Sequence, residues 1–352
     1  MRKLGSIQII KNLQPIEGAD RIELATINDW KVVVAKEVGL NIGDKVIYCE
    51  IDSFLPIEPE FEFLRKSSYK KMGDSEGFRL RTIRLRGIYS QGLIIPLKDA
   101  QIVSERLGNE IELSKLDIGS DVSEALNIVK YEPPIPANLA GGVKGRFPSF
   151  LKRTDEEIVQ NLTSEYESYK KRKDWYMTEK LDGSPSTFYY REGDFGVCSR
   201  NLDLKKPDDV NKNTFWKVAI ELDLENKLRY CREKYGLNLA LQGELIGEGI
   251  QKNPYNIKGH AVKFYNAFDI DNYYYLNLKD FTNIISELNL ETVPILDKEV
   301  SLPDNISDLI TMADGYSILN EKTIREGLVL RTSDRTISFK AISNNFLIKG
   351  GE

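Results

Sequence analysis

Five short motifs with reactive side chains follow one another in the second half of the sequence. They are Lys-Leu-Asp-Gly at residues 180–183, Ser-Arg-Asn at 199–201, Gly-Glu-Leu at 243–245, Phe-Asp at 268–269 and Glu-Gly-Leu-Val at 326–329. A lysine amine can serve as a covalent nucleophile, a guanidinium matches phosphate oxygens, and a carboxylate suits Mg²⁺. Their order indicates a covalent reaction at a phosphate, with Lys180 as the candidate nucleophile.

Each motif by itself also has an ordinary structural explanation. Lys180 could be a solvated lysine after a strand, as most lysines are solvated. Arg200 could form a surface ion pair, and Glu326 could simply begin a strand. Phe268 could pack in the core, with Phe264 as the alternative aromatic residue of the site. The presence of all the motifs in one order favours the functional interpretation.

The series resembles the covalent nucleotidyltransferases, which include RNA ligases, DNA ligases and mRNA capping enzymes. The run Gly-Glu-Leu-Ile-Gly-Glu-Gly-Ile-Gln-Lys at residues 243–252 is close to the form found in nick-sealing RNA ligases. The resemblance implies an ATP-dependent RNA ligase that uses Mg²⁺ or Mn²⁺. Such an enzyme adenylates its lysine, passes AMP to a 5′-phosphate and joins a 3′-hydroxyl to that end, as in RNA repair.

The resemblance also implies a role for each motif residue. Lys180 would be the nucleophile, with Lys340 and Arg200 as further catalytic residues, and Glu326 would hold the metal. The implied nucleotide-binding residues are Glu179, Asp182, Gly183, Arg200, Glu244, Phe268, Glu326 and Lys340. In this scheme Phe268 would stack on adenine, and Glu244 would accept a hydrogen bond from the ribose.

Two features of the lysines raise chemical questions. A free lysine has a pKa of about 10.4, so we expect burial and nearby cations to lower the pKa of Lys180. Nick-sealing ligases often carry Lys-x-Lys where this chain has Lys340, but Ile342 stands at the second position. Lys349 is a candidate substitute for that missing lysine.

Composition describes a globular protein without an obvious compartment signal. The 352 residues include 49 Lys+Arg and 54 Asp+Glu, a formal charge of -5, which does not exclude nucleic acid because local charge decides binding. Three widely spaced cysteines argue against a zinc site and a disulfide framework, and the single histidine argues against histidine catalysis. Without an apolar run of membrane-spanning length or a signal-peptide core, we expect a cytoplasmic monomer.

Residues 1–98 contain short alternating strands separated by turn residues, including a hairpin at 21–35. This pattern favours an OB-like β-barrel, and the segment resembles the OB-like N-terminal domain of some RNA ligases. Four arginines alternate along residues 78–86 and could either track nucleic-acid phosphates or form a solvated strand edge. They are Arg79, Arg81, Arg84 and Arg86.

The remaining sequence predicts a connecting segment at 99–145 and an adenylyltransferase domain at 146–352. Apolar residues at steps of four predict a helix over 155–170, and further helices are expected at 213–235 and 278–288. Strands are expected at 175–179, 187–190, 195–199 and 239–244. The predicted fold class is α+β, with an OB-like barrel followed by antiparallel sheets with flanking helices.

Three other functions remain open at this level. A DNA ligase and a capping-type guanylyltransferase share the motifs, but their OB domain commonly follows the catalytic domain. A non-catalytic duplex-binding relative is disfavoured because Lys180, Glu244, Glu326 and Lys340 are all retained. The expected partner is RNA, in the form of a nicked duplex, and no membrane.

Overall fold

The computed structural model describes residues 3–73, 75–131 and 142–349. The chain divides into two compact units, Met1–Pro134 and Ile135–Glu352. Within the described ranges, no helix is both long enough and apolar enough to cross a membrane. The three cysteines are free and buried.

Besides short 3-10 turns, the described residues of the N-terminal unit form short strands and two α-helices. In chain order they are β1 (Gly5–Ile9), β2 (Asn12–Pro15), β3 (Ile22–Ile27), β4 (Trp30–Ala35), β5 (Lys45–Cys49), β6 (Ser53–Leu55), α1 (Arg65–Ser68), β7 (Tyr69–Met72), β8 (Ser75–Arg79), β9 (Ile83–Leu85), β10 (Ile88–Ser90), β11 (Leu93–Pro96), α2 (Leu97–Arg106) and β12 (Val129–Lys130). They form antiparallel sheets in the orders β1-β5-β11, β2-β3-β4, β12-β6-β8-β7 and β10-β9.

The predicted hairpin is confirmed as β3 and β4, which pair from Ile22↔Ala35 to Ile27↔Trp30. Asn28 in its turn has φ 52, a left-handed conformation in which asparagine is enriched. The expected long strand over 78–86 is instead divided between β8 and β9. The arginines at 79 and 81 therefore do not share one strand face.

Part of the segment predicted to connect the domains packs in the core of the N-terminal unit. Its buried side chains pack with Ile7, Ile47 and Phe78; they are Ala100, Val103, Leu113, Val122, Ala125, Leu126 and Ile128. No apolar periodicity in the sequence of residues 107–128 indicated this packing, because α2 is the one α-helix among the described residues of the segment. Residues 132–141, which contain the proline-rich stretch, lie outside the described residues.

The C-terminal unit alternates strands and helices. They are β13 (Val143–Arg146), β14 (Glu157–Ile158), α3 (Tyr166–Tyr169), β15 (Trp175–Lys180), β16 (Ser184–Arg191), β17 (Asp194–Cys198), β18 (Leu202–Leu204), α4 (Thr214–Glu221), α5 (Leu224–Tyr235), β19 (Leu239–Gly247), β20 (His260–Asp269), β21 (Tyr274–Tyr275), α6 (Leu278–Glu287), β22 (Ile295–Val300), α7 (Ile306–Ala313), β23 (Gly327–Thr332), β24 (Ser338–Ile342) and α8 (Asn344–Lys349).

Two sheets form the body of this unit. The first has the strand order β13-β18-β17-β16-β19-β20-β21, and the second has the order β14-β24-β23-β15-β22. Helices α4, α5 and α6 cover one face of the first sheet through residues such as Trp216, Leu228 and Phe281. Helix α7 packs on the second sheet. All pairings are antiparallel except β14 with β24, so the predicted α+β class is confirmed for this unit.

The helix predictions were right for 278–288 and wrong for most of 155–170. Glu157 and Ile158 form a parallel strand beside Phe339 and Lys340, and only Tyr166–Tyr169 is α-helical. Sheet pairing overrode the apolar spacing, as tertiary contacts often do. The helix predicted at 213–235 is broken at Asp223, which has φ 53 between α4 and α5.

We predict that Leu126→Ala lowers the free energy of unfolding by roughly 2–5 kcal/mol, the usual cost of truncating a buried leucine. Leu126 is fully buried, although the sequence placed it in a connecting segment. Chemical denaturation measures the change. The matched control Ile118→Ala, at a residue 57% exposed, should stay within about 0.5 kcal/mol of wild type. Equal stability of the two variants would contradict the packing described above.

Candidate active site

Strand β15 delivers Lys180 to its carboxyl end, beside the start of β23. Lys180 pairs with Gly327 in the antiparallel register, so the preceding residue, Glu326, lies next to it. The Lys180 Nζ atom donates a hydrogen bond to Glu326 Oε1 at 2.6 Å. Both side chains are mostly shielded from solvent. The structure thus joins the candidate nucleophile directly to the candidate metal ligand, which is 146 residues away in sequence.

The charges around Lys180 raise the pKa of its amine. Burial alone would lower this pKa, but the charge of Glu326, the charge of Glu244 and the hydrogen bond to Glu326 raise it above the ordinary lysine value. The charge of Arg200 lowers the pKa of Lys180, but by less than these carboxylates raise it. The expected lowering is therefore not found, because two carboxylates face the amine and hold its proton.

Glu244 and Asp182 complete the carboxylate group around the nucleophile. Burial is the main cause that raises the pKa of Glu244 to about 8, and Lys180 opposes this shift. Burial, aided by Glu326, also raises the pKa of Asp182 to about 7. Glu244 lies on β19, whose partner strand β16 begins directly after the 180–183 motif. The structure brings both predicted residues to the site.

Gly183 is required by a close approach of protein backbone. A Cβ atom on this residue would lie 2.5 Å from the Leu245 carbonyl oxygen and 2.8 Å from Glu244 Cγ. These contacts are too short for any side chain. The sequence suggested that this glycine lets backbone approach a nucleotide; in the structure it lets the turn after Lys180 pass against β19.

Lys340 and Arg200 lie on either side of one carboxylate, that of Asp155. Lys340 Nζ is 3.4 Å from Asp155 Oδ1 and is mostly buried, while Arg200 Nη2 is 3.8 Å from the same atom. The Arg200 side chain is 51% exposed, so its guanidinium can reach a ligand. Two cations predicted to bind phosphate thus meet at one place, although their motifs are far apart in sequence.

The segment that contains Asp155 was missed as part of the site. Thr154 Oγ1 lies 3.2 Å from the Tyr265 hydroxyl, and Glu156 Oε1 is 3.2 Å from Arg331 Nη2. The Lys152 carbonyl accepts a hydrogen bond from Gln242 Nε2 at 2.8 Å. Residues 152–156 therefore line both sheets. The helix predicted over 155–170 concealed the roles of Asp155 and Glu156, and no motif in the sequence marked Lys152 or Thr154.

Phe268 does not lie in the site as predicted. Its ring is fully buried in a cluster with Leu151 and Tyr189 and contacts Tyr273 and Tyr275 edge-on. Phe268 pairs with Ala240 of β19. Ala240 is four residues from Glu244 on the same strand, which corresponds to about 13 Å along the strand. Phe264, the alternative aromatic residue of the predicted site, is also fully buried.

Tyr265 is the aromatic residue that the structure brings to the site. The register of β19 and β20 shifts between Gln242↔Asn266 and Gly243↔Phe264, which leaves Tyr265 as the extra residue of a β-bulge. Bulges redirect a side chain and often lie beside active sites. Arg331 lies over the Tyr265 ring at 5.7 Å. Burial and the nearby Glu244 charge raise the pKa of Tyr265.

Glu179 faces away from the amine of its neighbour Lys180. Its side chain is buried, and Oε2 accepts a hydrogen bond from the Ile318 N–H at 2.9 Å. Its own N–H donates to the Pro294 carbonyl at 2.9 Å. Burial is the main cause of the raised pKa of Glu179. The carboxylate of this predicted nucleotide-binding residue therefore fixes the 317–318 loop.

The position of the missing second lysine is buried. Ile342, on β24, pairs with Gly327 on β23, and Gly327 pairs in turn with Lys180 on β15. The Ile342 side chain is 8% exposed. Lys349, the suggested substitute, is an exposed residue at the end of α8.

The four arginines of the N-terminal unit do not form one stripe. Arg79 forms an ion pair with Asp52 at 3.0 Å and lies over the Tyr131 ring. Its guanidinium is therefore already engaged in contacts within the N-terminal unit. Arg81, Arg84 and Arg86 are exposed on or beside the hairpin of β9 and β10. Only these last three remain candidates for phosphate contacts.

A divalent metal would fit this site through few protein ligands. Among residues 3–73, 75–131 and 142–349, no three Asp, Glu, His or Cys side chains are grouped as a metal cage. Mg²⁺ usually keeps several waters and binds through one or two carboxylates together with substrate phosphates. Glu326, beside Lys180, meets that requirement.

Comparisons with known proteins agree with the geometry. A family model described as RNA ligase matches residues 173–349, and an OB-fold domain model matches residues 4–97. A mutant Naegleria gruberi RNA ligase with AMP and Mn superposes with a TM-score of 0.88 at 37% identity, over 99% of each chain. The Naegleria gruberi RNA ligase with PPi gives 0.86 at 38% identity, over 99% of this chain and 98% of that one.

A further mutant of that ligase, with ATP and Mn, gives a TM-score of 0.87 at 37% identity over 100% of both chains. No curated protein sequence gives a significant match. The chain belongs to the RNA ligase family. The predicted family and the OB-like N-terminal fold are therefore confirmed.

We predict that the stability of the ligand-free protein falls as pH rises from about 5 to about 8. The pKa of Glu244 is about 8 in the folded state and about 4.3 when unfolded, so between these values the folded state binds the extra proton. Glu244 alone contributes a slope of at most about 1.4 kcal/mol per pH unit. Denaturation at several pH values should show a smaller slope for Glu244→Gln, with Asp182 supplying the remainder. An unchanged slope in Glu244→Gln would contradict the raised pKa.

Proposed function

We propose that this chain is an ATP-dependent RNA ligase that joins RNA ends with a 3′-hydroxyl and a 5′-phosphate through a lysyl-AMP on Lys180. The contact that carries the proposal is the 2.6 Å hydrogen bond between Lys180 Nζ and Glu326. Relatives solved with AMP or ATP and Mn support ATP and a divalent metal as the cofactors.

In the first step Lys180 Nζ would form a bond to the α-phosphorus of ATP. The bond from that phosphorus to the bridging oxygen breaks, and pyrophosphate leaves with the electron pair. The amine must first lose its proton to solvent water, and the charges of Glu326 and Glu244, which raise its pKa, oppose that loss. When bound at Glu326, a divalent cation would neutralise one of these carboxylates and the charge on the α-phosphate.

The surrounding residues of the chain would bind and orient the nucleotide. Lys340 and Arg200 converge on Asp155, a position suited to phosphate oxygens that could replace this carboxylate. Glu244 would accept from a ribose hydroxyl. Tyr265, in place of Phe268, would offer its ring to adenine. AMP would then pass to the RNA 5′-phosphate, and the 3′-hydroxyl would displace AMP.

The substrate we propose is a nicked RNA duplex, sealed in RNA repair. Arg81, Arg84 and Arg86 expose three positive charges on the N-terminal unit, suited to backbone phosphates and not to base edges. We also propose that the protein acts as a cytoplasmic monomer. Its three free cysteines fit a reducing compartment.

Lys180→Ala should abolish covalent labelling by α-labelled ATP, because Lys180 supplies the amine that contacts Glu326. The measurement is label retained on the protein in a denaturing gel, with α-labelled GTP run in parallel. Lys173→Ala, at an exposed lysine, is the matched control and should label like wild type. A folded Lys180→Ala protein that still accepts label would refute the assignment.

Glu326→Gln should reduce the rate of lysyl-AMP formation at least tenfold and raise the metal concentration needed for half-maximal rate. The reason is that a site with few protein ligands cannot easily lose its carboxylate charge. Titration with Mg²⁺ and Mn²⁺ measures both effects, and Glu321→Gln, at an exposed glutamate, is the control. An unchanged metal requirement would show that another group holds the cation.

Replacing Arg81, Arg84 and Arg86 together with glutamine should weaken binding of nicked duplex RNA and flatten its salt dependence by up to about one unit of slope per arginine. Formation of lysyl-AMP should stay near wild type. Binding is measured at several salt concentrations, with Arg21→Gln, another exposed arginine of this unit, as the control. An unaltered salt slope would remove these arginines from the RNA site.

A further inference from the structure

The turn that follows the nucleophile is held by a segment far away in sequence. Residues 181–183 connect β15, which ends in Lys180, to β16. The N–H of Asp182 donates a 2.6 Å hydrogen bond to the phenolic oxygen of Tyr255. Gln251 Nε2 makes a longer contact of 3.4 Å with the Gly183 carbonyl. Both contacts come from residues 248–259, the connection between β19 and β20.

Tyr255 is itself fixed in place from several directions. Its side chain is buried and packs with Leu181, Ile246 and Val293 in one apolar cluster. The carbonyl of the preceding residue, Pro254, accepts hydrogen bonds from Asn320 Nδ2 at 2.8 Å and Thr323 Oγ1 at 2.6 Å. The phenolic oxygen therefore has a defined position from which to hold the Asp182 amide.

The segment has an unusual backbone for a simple connection. Gln251, Lys252 and Asn253 have φ values of 44, 60 and 51, a left-handed conformation that costs about 1–2 kcal/mol per residue. The Asn253 side chain stabilises it through two hydrogen bonds with the backbone of Ile257. Strained backbone persists only where its surroundings hold it, and it is concentrated at functional sites.

We propose that Tyr255 is a positioning residue for the attack of Lys180 on ATP. This inference rests on the proposed adenylyl transfer and adds a residue to it. Tyr255 touches no reacting atom; its oxygen restrains the peptide between Leu181 and Asp182 and so fixes the backbone from which Lys180 extends. Small misplacements of a reacting group can slow a reaction by orders of magnitude. Removing the hydroxyl should therefore slow the chemical step without weakening ATP binding.

The test compares wild type, Tyr255→Phe and Tyr166→Phe in single-turnover formation of lysyl-AMP from α-labelled ATP. Tyr166 is also buried, and its hydroxyl donates to the Pro303 carbonyl at 3.0 Å, within the core of the second sheet. Each substitution removes one hydroxyl and keeps the ring. For Tyr255→Phe we expect about a tenfold lower rate at saturating ATP and a half-saturating ATP concentration within about twofold of wild type.

Thermal unfolding of all three proteins separates positioning from a general loss of stability. Tyr166→Phe should keep the wild-type rate even where its melting temperature falls as far as that of Tyr255→Phe. Three results would each overturn the inference. The first is a wild-type rate in Tyr255→Phe, and the second is an equal loss of rate in both variants. The third is a change in the half-saturating ATP concentration of Tyr255→Phe without a change in its rate. A wild type that takes no label on Lys180 would overturn the proposed function itself.

Discussion

The amine of Lys180 lies at the end of a central strand between carboxylates, and the rest of the catalytic unit maintains that arrangement. β15 is paired on both sides, with β22 and β23, so its backbone has little freedom. The register with β23 sets Glu326 beside the amine. Gly327 permits β24 to lie close, since a Cβ at this residue would be 2.2 Å from the Ala341 carbonyl oxygen. That close approach carries Lys340 toward the same site.

The site balances charges that would be unfavourable separately. A buried carboxylate is costly without a partner, and burial raises the pKa values of Glu244 and Asp182. Lys180 opposes both shifts, while the charges of Glu326 and Glu244 raise the pKa of the lysine. In this arrangement each charged group stabilises its neighbour. Phosphates and a divalent cation have charges that could replace these partners, which makes the site suited to nucleotide chemistry.

Connecting segments contribute as much to the site as the strands do. Asp155 meets Lys340 and Arg200 from the stretch before β14, and Tyr255 meets Asp182 from the connection between β19 and β20. A bulge turns Tyr265 toward Glu244 and Arg331. Rigid sheets supply the cations and carboxylates, and the segments between them set the final positions. Functional residues are often found on such connections supported by a rigid scaffold.

The motif residues could be predicted from the amino-acid sequence because a nucleophile, carboxylates and cations occur there in short patterns. The local strands and turns could also be predicted, because alternation and turn residues are local properties. Lys180, Glu244 and Glu326 were predicted in this way, and so was the hairpin of β3 and β4. Phe268 was placed wrongly, since a one-residue bulge changes which side chains face the site and no local pattern marks it. Asp155 and Tyr255 were missed because single polar residues have no spacing signal. Their positions depend on contacts between strands and segments far apart in the chain, and those contacts form only when the two sheets fold together.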